Sequence, residues 1–186
     1  MTNQIFFIHG AGGESAYEED RLLAVSLQDA LGVAYEVRYP KMPLEENSGY
    51  ADWKTRIALE LSSLDDKIIL SAHSVGGSIL LKYLIEERVE KSIAGLFLLA
   101  TPYFSGDDIW NDAQINLPQD FATKLPAIPR MFLYHSRDDE VVPFDHLALY
   151  AAKFPQAIIR EFDGRGHQFA NNLTEVAEDI KRAEIT

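Results

Sequence analysis

The chain has 186 residues, 47% of them hydrophobic, and carries 29 acidic against 17 basic side chains for a formal charge of −12. That size suits one globular unit with a sizeable core, and the acidic balance argues against nucleic acid or an anionic membrane as partner, because both need a basic face. There is no cysteine, so disulfides, thiolate zinc sites and a cysteine nucleophile are excluded together. No basic leader or cleavage site precedes the first apolar run, and no stretch approaches the ~20 apolar residues of a membrane span. The expectation is a cytoplasmic protein whose single domain covers residues 1–186.

The first run, Ile5-Phe6-Phe7-Ile8, is apolar at every position instead of alternating, as in a strand covered on both faces of a parallel sheet. It ends in His9-Gly10-Ala11-Gly12-Gly13, a turn rich enough in glycine to leave backbone amides exposed. A dinucleotide fingerprint would need glycine at 15, where serine stands. Ser15 and Glu18 have the spacing of a capping box, and Leu23, Leu27, Ala30 and Leu31 follow at helical intervals up to Gly32. Glu18-Glu19-Asp20 then falls in the first turn of that helix, as a solvated acidic end matched to the helix dipole.

A second strand is predicted over Ala34–Tyr39, and Trp53, Ile57, Leu61 and Leu64 mark one face of a second helix. The third strand, Lys67–Ser71, leads into Ala72-His73-Ser74-Val75-Gly76-Gly77 and a helix that is apolar almost all round from Ile79 to Ile85. Ile93–Ala100 is a fourth strand. The span 101–128 holds Pro102, Pro118 and Pro126 with Tyr103, Phe104, Trp110 and Phe121 and shows no period. Long irregular spans in compact domains are usually functional, and we expect a partial lid there. Met131–Tyr134 and Ile158–Phe162 supply the fifth and sixth strands; Phe144, Leu147, Ala148 and Ala151 suit a helix between them. The last helix opens near Asn172 and places Leu173, Val176, Ala177 and Ile180 on one face. Six strands alternating with helices predict a three-layer α/β/α sandwich with a doubly wound, mainly parallel six-stranded sheet. In such sheets, sites form at the carboxyl ends of strands.

Ser74 sits at a sharp strand-to-helix turn between small residues, which lets its hydroxyl project, and the amide of Val75 at the helix start faces the place where an oxyanion would form. The competing reading is a packing turn with serine as filler. A serine hydroxyl needs a base, and a histidine serves best when a carboxylate holds its other nitrogen. The order Ser74, Asp139, His167 is that of α/β-hydrolases. On Ser71–Gly77, on Asp139-Glu140-Val141-Val142-Pro143 and on Gly164-Arg165-Gly166-His167, the sequence resembles the α/β-hydrolase superfamily, and within it the small, nearly lidless serine hydrolases related to retinoblastoma-binding protein nine. The resemblance spans essentially the whole chain. It implies Ser74 as nucleophile, His167 as general base and then acid, Asp139 as orienting carboxylate, and the backbone N–H groups of Val75 and Ala11 as oxyanion hole. Ala72 departs from the glycine common at that place, and Asp138 stands beside Asp139; the D-x-x-V-P spacing favours Asp139.

The substrate implied is a small carboxylic ester, with thioesters, lactones and amides in the same chemical class, and no cofactor is required. A non-catalytic protein-binding or regulatory protein on the same scaffold is the alternative. His9 and His73 are expected to pack at the sheet edge with local hydrogen bonds, and His135 and His146 to be structural or surface residues. No metal site is expected, since no ligand pair of the H-E-x-x-H kind is present.

Overall fold

In the computed structural model, residues 2–43, 48–105 and 108–184 are described; positions 106 and 107 of the expected lid lie outside them. Strands β1 (Asn3–Ile8), β2 (Tyr35–Arg38), β3 (Lys67–His73), β4 (Ser92–Leu99), β5 (Met131–Ser136) and β6 (Ile158–Phe162) form one sheet in the order β2-β1-β3-β4-β5-β6. Every neighbouring pair is parallel. Helices α1 (Gly13–Leu31), α2 (Tyr50–Ser63), α3 (Val75–Glu86) and α4 (Asp145–Lys153) lie in the crossovers, and α5 (Thr174–Glu184) follows the last strand.

The unbroken apolar runs now have their cause. Successive side chains of a strand point to opposite faces, and both faces are covered. Phe6, Ile8, Leu70, Leu96, Leu98 and Leu133 pack against α2, α3 and α4 through residues such as Trp53, Ile57, Leu80 and Tyr150. Ile5, Phe7, Ile69, Phe97, Leu99 and Phe132 pack against α1 and α5 through Leu23, Leu27, Val176 and Ile180. Arg160 on β6 makes a two-pronged ion pair with the buried Asp179, at 2.9 and 2.8 Å, and the Tyr134 hydroxyl donates to the same carboxylate at 3.0 Å. This network fastens α5 to the sheet.

Two expectations need correction. Helix α1 starts at Gly13 with Gly12 before it, and no side chain caps it. Ser15 lies inside the helix and its hydroxyl donates to Glu19 at 2.9 Å, so there is no capping box. Asp20 is therefore not in the solvated first turn: it is buried, with Leu23, Ala24, Leu27 and Leu31, at the i, i+3, i+4, i+7 spacing of the core stripe. On α4 the buried face is His146, Leu147 and Tyr150, while Ala148 is exposed.

The strand order fixes where a site can form. The chain leaves β1 for β2 on one side and returns to β3 on the other, so the crossovers diverge between β1 and β3. At such a switch point a crevice opens beyond the strand ends. His9-Gly10-Ala11 and His73-Ser74-Val75 stand at its two sides.

Candidate active site

Between β3 and α3, Ser74 takes φ 51° and ψ −136°, a left-handed conformation that a non-glycine residue adopts only when its surroundings impose it. The surroundings are tight. A Cβ on Gly76 would fall 2.2 Å from the carbonyl oxygen of His9, and one on Gly77 would fall 2.3 Å from the Thr101 hydroxyl. Only glycine at both positions lets α3 approach β1 and the end of β4 so closely. The Ser74 amide donates to the Leu99 carbonyl at 2.9 Å, and its own carbonyl accepts from the Gly77 amide at 2.9 Å. The side chain is thus turned up at the sheet's carboxyl edge.

The Ser74 hydroxyl lies 3.1 Å from His167 Nε2. On the other side of that imidazole, Nδ1 lies 3.0 and 2.9 Å from the two oxygens of Asp139, whose carboxylate has no exposed surface. A carboxylate only accepts, so Nδ1 carries the proton and Nε2 is left as the acceptor for the serine O–H. Asp139 Oδ1 also accepts the amides of Val141 and Val142, each at 2.9 Å, the bonds that shape the D-x-x-V-P turn. Burial alone would raise this carboxyl, but bonds from His135 and His167 and the His167 charge outweigh it and hold it far below the usual range. It is ionised at every pH at which the protein would work.

Asp138 has a different place. It is exposed and accepts from the Ser136 hydroxyl and the amides of Arg165 and Gly166, at 3.2 and 3.3 Å for the amides. It holds the loop that carries His167 without touching the ring. His135 is buried, and its Nε2 lies 3.0 Å from the Val142 carbonyl and 3.1 Å from Asp139. Asp139 is therefore shared by two histidines, and His135 is the structural one of the two.

Of the two amides expected at an oxyanion site, that of Val75 is the first of α3 and so has no partner one turn back within the helix. Ala11 follows Gly10, whose Cα packs against Ser74: a Cβ there would be 3.1 Å from Ser74 Cβ. The Gly10 amide itself is taken by Asp20 Oδ2 at 2.7 Å, so of this turn's amides it is not the one free for an oxyanion. His9 does have a local bond, with Nδ1 donating to the Gly10 carbonyl at 2.7 Å, and its Nε2 accepts the Met42 amide at 3.0 Å. That fixes a neutral tautomer, and burial pushes its pKa down. His73 is bonded to Asp20 and to the His167 carbonyl, far along the chain in both cases.

The aromatics divide. Phe121 and Phe169 are core residues, packed on Phe154 and Phe162, while Tyr103 and Trp110 are half-buried. The 101–128 segment is tied to α3 and α4: Ser78 and Tyr150 hydroxyls donate to the Pro102 carbonyl, Lys82 to that of Asn116 and Lys153 to that of Gln119. Among the described residues no group of three or more His, Asp or Glu side chains is arranged to hold a metal, and no helix is long and apolar enough to cross a membrane.

A family model for serine hydrolases matches residues 24–172. Solved structures with the same fold include the ydeN gene product from B. subtilis, at 19% identity, full coverage of both chains and TM-score 0.75. Est1E from Butyrivibrio proteoclasticus matches at 19% identity over 99% of this chain and 87% of its own, TM-score 0.70. SOBER1 from Arabidopsis thaliana matches at 14% identity over 99% and 100%, TM-score 0.70. No curated protein matches the sequence.

Proposed function

The chain belongs to the serine hydrolase family and is an α/β-hydrolase enzyme, and from that premise we propose that it cleaves small carboxylic esters through an acyl-enzyme on Ser74. The observation that carries this reading is the unbroken line from the Ser74 hydroxyl through His167 to the buried Asp139, each link between 2.9 and 3.1 Å.

In the proposed cycle, the Ser74 oxygen attacks the ester carbonyl while His167 Nε2 takes its proton. The tetrahedral oxyanion is met by the amides of Val75 and Ala11. His167, held by Asp139, returns the proton to the departing alkoxide, and the alcohol leaves. Water then attacks the acyl-enzyme: His167 removes its proton, the carbonyl–Oγ bond breaks, the acid departs and the proton goes back to Ser74. Asp139 stays ionised throughout, keeping the ring in the tautomer that presents a bare Nε2. Tyr103 and Trp110 are the half-buried aromatics nearest in sequence to the end of β4, and we place the acyl group against this part of the 101–128 segment, which acts as a partial lid. The partner is thus a small molecule, and thioesters or lactones fit the same sequence of steps.

Covalent labelling by a fluorophosphonate probe tests the reading directly. Stoichiometric modification is expected at Ser74 and at no other serine, by peptide mass spectrometry; folded protein that stays unlabelled would overturn it. The two adjacent aspartates give a second test. Asp139→Asn should lower kcat by about 10⁴-fold, because the amide stabilises the wrong imidazole tautomer. Asp138→Asn should cost less than about tenfold, since its carboxylate only shapes a loop. Equal losses in steady-state hydrolysis would remove Asp139 from the proposed role.

A further inference from the structure

His73, the residue before the proposed nucleophile, is buried with 1% of its surface exposed. Its Nδ1 is 2.8 Å from Asp20 Oδ2 and its Nε2 is 3.0 Å from the carbonyl oxygen of His167. A carboxylate and a carbonyl are both acceptors. A neutral imidazole has one N–H, so either tautomer would set a bare nitrogen against an acceptor; only the imidazolium satisfies both contacts. Burial works against that charge, but the charge and hydrogen bond of Asp20, with the His167 carbonyl and the charge of Asp139, outweigh it and raise His73 above its ordinary value. The same pairing holds Asp20 down to about 2 in spite of its own burial.

Asp20 does more than neutralise His73. Its Oδ2 also accepts the Gly10 amide at 2.7 Å, and its Oδ1 accepts the Gln168 side-chain amide at 3.0 Å. One ion pair therefore joins three segments: the turn after β1 that flanks Ser74, the end of β3, and the loop that carries His167. The ring of His73 lies 4.6 Å from that of His167, centroid to centroid.

We propose that Asp20 and His73 are positioning residues for the hydrolytic reaction: a buried carboxylate–imidazolium pair that clamps the His9-Gly10-Ala11 turn and the His167 loop on either side of Ser74, and keeps a fixed positive charge behind the His167 ring. This rests on the Ser74–His167–Asp139 reading above. Neither residue touches the reacting atoms; both act through Gly10 and His167.

The groups facing His73 are Asp20 from α1, His167 from the loop after β6, Asp139 from the turn after β5 and the neutral His9 from the end of β1. His167 is faced in addition by Ser74 and by Glu140, whose carboxylate accepts its backbone amide at 3.2 Å. Removing the imidazolium while Asp20 remains leaves an unbalanced negative charge near His167, which favours the protonated, inactive ring.

The test is made on the full chain with p-nitrophenyl acetate as probe. His73→Gln is expected to lower kcat by about 10- to 100-fold, leave KM within about threefold, and move the acid limb of the kcat/KM profile up by about one pH unit. A residue that merely props up the fold would lower the thermal midpoint and leave that limb in place. On the unmutated protein, ¹⁵N NMR of the imidazoles should show protons on both ring nitrogens of His73 from pH 5 to 8. A single bare nitrogen there at pH 7 would overturn the proposal, even if the variant failed to fold. Ser74→Ala is run alongside: if it retains turnover, the triad reading falls and this proposal with it. If Ser74→Ala is inactive while His73→Gln keeps both its kcat and its acid limb, only the positioning role is lost.

Discussion

Replacing Ser74 with alanine is expected to cut ester turnover by about a millionfold, to the level set by binding and oxyanion stabilisation alone. The same loss is expected for His167→Ala, and the double variant should be no worse than either single one, because the two groups act as a unit in one proton transfer. The reason is visible in the geometry. His167 Nε2 lies 3.1 Å from the hydroxyl, and on the proposed mechanism removal of either partner leaves a nucleophile without a base or a base without a nucleophile. The fold should survive, since alanine occupies less room and meets the same left-handed backbone that serine does. Steady-state rates with an activated acetate ester, set beside thermal unfolding, check both statements. Turnover above a tenth of the wild-type rate in purified Ser74→Ala would sink the assignment.

The second large effect falls on folding. Gly76→Ala is expected to destabilise the protein by about 3 kcal/mol or more, at the upper end of what overpacking does. The added methyl would stand 2.2 Å from the His9 carbonyl oxygen and 3.0 Å from Ile8 Cγ2. Backbone cannot rotate aside as a flexible side chain does, so β1 and α3 have to separate. Total stabilities of domains this size are about 5–15 kcal/mol, so the loss is a large share of the whole. Gly164→Ala is the control. That residue has φ 71° but nothing within 4 Å of the added carbon, and its cost should be confined to the roughly 1–2 kcal/mol of a left-handed backbone. Urea midpoints of the two variants should differ clearly; similar midpoints would mean that close approach at Gly76 is not what holds the turn.

Much of the architecture was legible because its signals are local. The four inner strands, β1, β3, β4 and β5, announce themselves through apolar runs whose cause is burial on both faces, whereas the edge strands β2 and β6 carry Glu36, Arg38, Arg160 and Glu161 and are only partly covered. Ser74 was legible for the same reason: Ala72, Gly76 and Gly77 mark a turn where room is short. The errors share a different cause, which is that a polar side chain can hold a core position. Asp20 stands in an acidic run, and charge alone suggested a solvated helix end. Its spacing to Leu23, Ala24, Leu27 and Leu31 was the signal that could have found it, since it completes their stripe. His146 and Tyr150 misled in the same way on α4, where the small apolar residues Ala148 and Ala151 drew the predicted face round the helix. The partners of these buried groups lie elsewhere in the chain. Asp20 meets Gly10, His73 and Gln168, and no local pattern announces contacts of that kind.

That last property has a temporal consequence. Ser74 and His167 are 93 positions apart, His73 and the His167 carbonyl 94, and Asp20 and Gln168 148. Chains are made from the amino end and contacts of long sequence separation form late. A nascent chain that has already built β1, β3 and the turn bearing Ser74 still carries an ordinary alcohol there. On the proposed mechanism, the serine acquires its base only when the segment after β6 has emerged and docked, with α5 fastened behind it. On that reading the hydroxyl stays chemically quiet until His167 docks beside it.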